Sequence, residues 1–155
     1  MNFKTTKSLS IKQKEEIIQL WNNEYPKKIN HANAKAFDDY LSNLTDQSHI
    51  LLIDNDQIKA WFTDFIREDE RWFGMILDSQ LQGKGVGTEL LNRAKEMRSE
   101  LNGWVIDHNN DLKLNGENYK SPVEFYKKNG FEIESEVRLE MVSLSAVKMK
   151  WKKAL

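Results

Sequence analysis

Between an apolar run, Trp72-Phe73-Gly74-Met75-Ile76-Leu77, and an amphipathic stretch that opens near Val86, the chain reads Gln80-Leu81-Gln82-Gly83-Lys84-Gly85-Val86-Gly87-Thr88. This segment restricts the fold more than any other. A strand has to end and a helix has to begin within a few residues. Glycines at alternate positions remove Cβ atoms, so successive backbone N–H groups can converge on one anion. The helix start adds unpaired amides and the positive end of its dipole. A pyrophosphate is the expected guest. A flexible turn would account for one glycine, but it fits three alternating ones poorly.

The rest of the chain supplies a sheet for that strand. Residues 3–9 read as a first strand. Ser10 and Gln13 form a capping box before Ile17, Ile18, Trp21 and Tyr25 at one-face helical spacing, and Pro26 stops that helix. A second helix is expected around residues 31–44, with Phe37, Tyr40, Leu41 and Leu44 on one side. Ile50-Leu51-Leu52-Ile53, the turn Asp54-Asn55-Asp56 and the run Ile58 to Ile66 predict an antiparallel hairpin. Arg67-Glu68-Asp69-Glu70-Arg71 reads as a solvated turn. After the glycine loop, Val86, Leu90, Leu91, Ala94, Met97 and Leu101 predict the buried side of a helix that Gly103 ends, with Trp104-Val105-Ile106 starting a strand parallel to the previous one. Residues 109–120 read as a polar loop. Ser121 is the expected cap of a short helix that Gly130 closes, followed by paired strands at Phe131–Val137 and Ala146–Trp151. The result is one α+β domain over residues 1–155, a mixed sheet with helices packed on it.

Composition narrows the function. The 23 Lys and Arg against 24 Asp and Glu leave a net charge of −1, which argues against a nucleic-acid partner. No apolar segment approaches the roughly 20 residues of a membrane span. Met1–Lys7 lacks the apolar core of a signal peptide and the chain has no cysteine, so a cytoplasmic protein is expected. The loop itself excludes two nucleotide motifs. A dinucleotide-binding G-x-G-x-x-G would need glycine where Thr88 stands, and a Walker loop would need Lys and Ser or Thr after its last glycine, where Thr88-Glu89 follows Gly87.

Gln80-Leu81-Gln82-Gly83-Lys84-Gly85 instead resembles the Q/R-x-x-G-x-G/A acetyl-CoA signature of the GCN5-related N-acetyltransferases, the GNAT superfamily. Phe125-Tyr126-Lys127-Lys128-Asn129-Gly130-Phe131 resembles the family's downstream F-Y-x-x-x-G-F, and Val147–Trp151 its closing strand. The resemblance covers roughly residues 45–152. It implies a three-layer fold with a mostly antiparallel sheet, splayed fourth and fifth strands and about four helices. It also implies an acetyltransferase that uses acetyl-CoA and no metal on a primary amine, either a small molecule or a peptide. The pantetheine arm is expected to add as a strand beside Leu77, and the pyrophosphate to sit on Gln82, Gly83, Lys84, Gly85, Val86, Gly87 and Thr88.

Tyr126 matches the family tyrosine that serves as general acid toward the leaving thiolate. Asp107 and His108, where the fifth strand leaves the sheet, are the candidates to orient substrate or relay a proton. Asp78, Glu68, Glu70, His31 and His49 read as structural. Asn118 stands one position off the family asparagine that contacts CoA, and Pro122 replaces a common alanine. The long 109–120 loop is expected to cover the acceptor pocket. Without cysteine no acetyl-cysteine can form, so transfer should be direct. A homodimer is compatible with the resemblance. A non-catalytic acyl-CoA-binding module and a nucleotide-dependent enzyme are the competing readings.

Overall fold

A computed structural model describes residues 1–155. Seven strands form one sheet in the order β1-β2-β3-β4-β5-β7-β6. They are β1 (Asn2–Thr6), β2 (Thr45–Asp54), β3 (Gln57–Arg67), β4 (Glu70–Leu77), β5 (Glu100–Val105), β6 (Glu132–Met141) and β7 (Leu144–Lys152). Every neighbouring pair is antiparallel except β4 and β5. The helices are α1 (Ile11–Glu24), α2 (Ala34–Ser42), α3 (Val86–Met97) and α4 (Val123–Lys128). No helix is long and apolar enough to cross a membrane.

Period-two alternation along the strands divides the core into two layers. Ile50, Leu52, Phe62 and Phe73 face α3 and α4, together with Leu90, Leu91 and Tyr126. Leu51, Trp61, Phe65 and Trp72 face α1 and α2, together with Ile17, Trp21 and Phe37. The hairpins between β2 and β3 and between β3 and β4 turn on two left-handed residues each, Asn55-Asp56 and Glu68-Asp69, the geometry of tight turns that match strand twist. The Ser10–Gln13 capping box is present, with Gln13 N–H donating to Ser10 Oγ (3.1 Å) and Ser10 N–H to Gln13 Oε1 (2.8 Å).

Five expectations are corrected. The first strand stops at Thr6, and α2 starts only at Ala34, after a short 3-10 turn at Lys27–Ile29. The helix of the glycine unit ends at Met97, which is 44% exposed. Leu101 and Gly103 belong to β5, so the strand begins four residues before Trp104 at Glu100. Gly103 is no helix stop: a Cβ there would lie 3.0 Å from both Met149 Cε and Phe73 Cε1, so close packing across the sheet requires the glycine. Pro122, not Ser121, is the N-cap of α4. Ser121 Oγ donates to the Ile106 carbonyl and accepts from Val123 N–H (3.3 Å), tying the end of β5 to the start of α4.

Candidate active site

β4 and β5 pair only at Trp72 and Asn102. Asp78 N–H donates to Lys59 C=O (2.8 Å). In an antiparallel ladder, residue pairs that bond each other alternate with pairs whose N–H and C=O point away. Counting from that bond, Phe73, Met75 and Leu77, opposite Asp64, Phe62 and Ala60, turn their backbone groups away from β3 and toward β5. On the other side Lys153 N–H donates to Ser99 C=O (2.8 Å), so Asn102 and Trp104 turn theirs toward β4. Beyond the single bridge the two strands offer each other open edges, on which the Met75 carbonyl takes the Tyr25 hydroxyl (2.9 Å). An extended arm carrying amides fits such an opening by strand addition, and Leu77 is on the edge.

Leu77 leads through Asp78 into a 3-10 turn, Ser79–Leu81, which Asp78 caps by accepting from Gln80 N–H (2.8 Å). Gly83 and Gly85 follow with φ of +77° and +79°, the left-handed region open to glycine. Gly85 is the N-cap of α3, and Glu89 N–H is bonded to Gly85 C=O (3.1 Å). The amides of Val86, Gly87 and Thr88 are thus the unpaired first-turn donors of α3. Gln82 N–H is engaged with Ser79 C=O (3.3 Å), and Lys84 is exposed. Gly87 has a different task. A Cβ there would lie 2.9 Å from Phe125 Cζ, so the glycine lets α4 close on α3. The donor set suits an anion at the loop and an amide-bearing arm beside Leu77, which is the layout of a CoA.

Tyr126 points from α4 into the core layer beside β4, its ring centroid 5.9 Å from Phe73, 5.1 Å from Phe125 and 5.4 Å from Phe131. Burial, with the nearby Tyr119 phenol, raises its pKa, so the hydroxyl holds its proton. Two further tyrosines approach from other elements. Tyr25, which ends α1, donates from its hydroxyl to the Met75 carbonyl (2.9 Å). Tyr119 from the 109–120 loop lies 6.4 Å from the Tyr25 ring. Burial raises both phenols as well. Neither was singled out from the sequence for this site. Tyr25 read as one more residue of a helical face, and Tyr119 lay among polar loop residues. The only signals were an aromatic immediately before Pro26 and one within an otherwise polar loop.

Asp107 and His108 stand just past β5. Arg138 of β6 grips Asp107 through two nitrogens (2.8 and 3.1 Å), and this pairing lowers the carboxyl pKa, making it a weak proton acceptor. His108 Nδ1 accepts from Asn110 N–H (3.1 Å), and Nε2 faces Asp111 Oδ2 at 3.8 Å. His108 borders a small cleft of about 90 Å³ with Lys28, Asp111 and the β6–β7 turn. Asn118 Nδ2 donates to Asn109 C=O (2.7 Å), bracing the loop that both belong to. That loop is fastened to the end of α1 by Lys27 N–H to Leu112 C=O (2.8 Å) and by Lys113 to Glu24 (3.3 Å). Glu70 is paired with Lys148 and Lys150 at the other end of β4, far along the strand from Leu77. His49 lies wholly buried in the sheet.

Solved structures share the fold over nearly their whole length. An aminoglycoside 6'-N-acetyltransferase complexed with coenzyme A matches with a TM-score of 0.73 at 15% identity, covering 98% of this chain and 97% of its own. Escherichia coli ElaA matches at 0.71 and 18% identity, over 98% and 100%. A PaiA N-acetyltransferase from Thermoplasma acidophilum in complex with coenzyme A matches at 0.66 and 18% identity, over 99% and 100%. At these identities the likeness is one of fold. No curated protein matches in sequence. The family model of the acetyltransferase (GNAT) domain matches residues 46–133, from β2 into β6, and spans the opening, the glycine loop and Tyr126. The chain therefore belongs to the GNAT family of N-acetyltransferases.

Proposed function

We propose that the protein transfers the acetyl group of acetyl-CoA directly to a primary amine, with both substrates bound at once. The observation that carries this reading is the opening beside Leu77 next to the free amides at the start of α3, with the Tyr126 ring packed 5.9 Å from Phe73 of β4. Acetyl-CoA supplies an activated acetyl thioester. The Met75 N–H and the backbone groups of Leu77 hold the pantetheine arm, the Met75 carbonyl being taken by Tyr25. The amides of Gly83 to Thr88 hold the pyrophosphate, with Lys84 available as a cation beside it and Gln82 shaping the turn.

Tyr126 gives its hydroxyl proton to the departing sulfur. The phenol holds its proton at neutral pH, and the charge that develops on the departing sulfur is what draws that proton across. The amine must lose a proton to attack. Asp107 is committed to Arg138, so we assign it to holding the β6–β7 hairpin against the site, and His108 to contact with the incoming acceptor at its cleft. The amine proton then leaves to water. A cytoplasmic location agrees with the use of acetyl-CoA.

A thiol-release assay with acetyl-CoA and a panel of amines tests the reading. Initial-rate lines should intersect, as a ternary complex requires, whereas parallel lines would contradict direct transfer. Tyr126→Phe keeps the ring packing and should lower kcat by roughly 10²–10⁴-fold with acetyl-CoA affinity unchanged. Undiminished turnover would remove the acid role. Tight acetyl-CoA binding with no turnover on any amine would favour a binding module.

A further inference from the structure

Tyr25 donates its hydroxyl to the Met75 carbonyl (2.9 Å), on the edge that β4 turns toward β5. Its ring packs with the α1–α2 layer of the core, whereas Tyr126 belongs to the layer under α3 and α4. The two phenols therefore approach β4 from opposite faces of the sheet. Tyr126 is only 6% exposed, while Tyr25 is half-buried and keeps part of its surface in solvent. The α3 face already carries the amides of the glycine loop, so the α1 face is left for a second substrate.

The open edge is bounded at both ends. It begins at Leu77, next to the glycine loop, and closes at the Trp72–Asn102 bridge. An arm that adds as a strand from the loop end pairs at Leu77 and then at the Met75 N–H. Its pairing stops there, because the Met75 carbonyl is taken. The reacting end of the arm thus lies beside Met75, next to the Tyr25 oxygen.

A phenol donates one hydrogen bond and accepts others. The Tyr25 proton is committed to a carbonyl, so toward any other group its oxygen offers only lone pairs. That asymmetry suits an attacking amine. A donor aimed at the nitrogen would occupy the lone pair that has to attack. An acceptor takes an N–H instead and leaves that lone pair free to face the thioester. Burial raises the Tyr25 pKa, so the phenol keeps its proton and its bond to Met75 across the neutral range. The ring is also fixed in place. Tyr25 N–H is bonded to Trp21 C=O (3.0 Å), the two rings meet edge to face at 4.8 Å, and Pro26 follows.

We propose that Tyr25 holds the attacking amine: its oxygen, with the proton committed to the Met75 carbonyl, accepts one N–H of the primary amine and turns the nitrogen lone pair toward the thioester. The proposal rests on the transfer reading above. Tyr25 accepts a hydrogen bond and not the proton itself. The new N–C bond replaces the C–S bond, the sulfur takes the Tyr126 proton, the nitrogen gives one to water, and Tyr126 recovers one from water.

The test uses Tyr25→Phe, which keeps the ring against Trp21, with folding checked by circular dichroism and thermal melting. The acceptor is the fastest of a primary-amine panel that includes 2-phenylethylamine, spermidine and glycinamide. The variant should lower kcat/KM for that amine about tenfold, the worth of one hydrogen bond. Its dissociation constant for acetyl-CoA, measured by calorimetry without amine, should stay within about twofold of the original. The pH profile of kcat/KM for the amine should keep its limbs and move down as a whole, since Tyr25 takes up no proton. Amine kcat/KM within about twofold of the unsubstituted protein overturns the proposal and leaves the transfer reading standing. A loss matched by equally weaker acetyl-CoA binding overturns it as well, since Tyr25 would then only shape β4. A limb that vanishes or shifts makes Tyr25 a proton acceptor and overturns the lone-pair role. If the unsubstituted protein binds acetyl-CoA and acetylates no amine of the panel, the transfer reading falls and takes the proposal with it.

Discussion

Gly85 and Gly87 are two residues apart and are glycine for unrelated reasons. Gly85 has φ +79° and open space around it, so a side chain there meets no neighbour but strains the backbone by roughly 1–2 kcal/mol. Gly87 has an ordinary helical backbone, yet a Cβ would lie 2.9 Å and 3.2 Å from two atoms of the Phe125 ring. Gly85→Ala should therefore raise KM for acetyl-CoA and leave kcat nearly intact, because it reshapes the turn whose amides face the anion. Gly87→Ala should lower kcat, because moving Phe125 shifts the adjacent Tyr126, and should cost about 1–3 kcal/mol of stability through overpacking. Steady-state kinetics and urea midpoints of the two variants read both effects, and a reversed KM-against-kcat split would contradict the assignment. The G-x-G-x-G spacing announced an anion-binding turn before a helix. It could not reveal that its last glycine serves a phenyl ring from another helix, since that is a matter of packing between segments distant in the chain.

At the scale of elements, hairpins were the most legible, because Asn55-Asp56 and Glu68-Asp69 are local turn chemistry, although Arg67, Glu70 and Arg71, read from the sequence as part of a solvated turn, belong to β3 and β4. The boundary between α3 and β5 was not. Leu101 continues the helical spacing of Leu90, Leu91 and Ala94 as well as it fits the alternation of a strand, so periodicity alone could not part them. What divides the two elements is a tertiary contact. Arg98, the C-cap of α3, reaches Asp64 on β3 with Nε (3.0 Å) and Nη2 (2.9 Å), and Arg71 adds a bond to the same carboxylate (3.1 Å). Asp64 is only 2% exposed, so both guanidiniums share a buried anion. Asp64→Ala should cost about 1–3 kcal/mol, since it removes the carboxylate that accepts from both guanidiniums, although Arg71 keeps Asp46 and Arg98 is partly exposed. Arg98→Ala combined with it should add far less than its own single effect, as members of one network do. Denaturant unfolding of the double-mutant cycle checks this, and additive losses would mean that the contact does not hold the end of α3.

The whole molecule carries one buried group whose ionisation opposes folding. His49 lies in β2 with no exposed surface, its Nδ1 accepting from Trp61 Nε1–H (3.1 Å) and its other ring nitrogen 2.9 Å from Gln47 Oε1. That arrangement needs the neutral ring, and burial lowers its pKa from 6.5 to about 4. The unfolded chain therefore binds a proton in a range where the folded one does not. The stability contributed by the neutral ring is complete above pH 6.5 and is lost as pH falls from there to about 4, by about 3 kcal/mol in all. His31, packed 4.4 Å from the Trp21 ring and also lowered by burial, acts in the same direction. Since β2 and β3 together carry β4, and β4 is one wall of the opening, acid should unfold the sheet that supports the site. The urea midpoint should drop clearly between pH 7.5 and pH 4.5. His49→Gln, which keeps an acceptor for Trp61 and a donor for Gln47, should flatten that drop even though the paired carboxylates still titrate in both proteins. A slope unchanged by the substitution would move the acid sensitivity from this imidazole to the ion pairs of the surface.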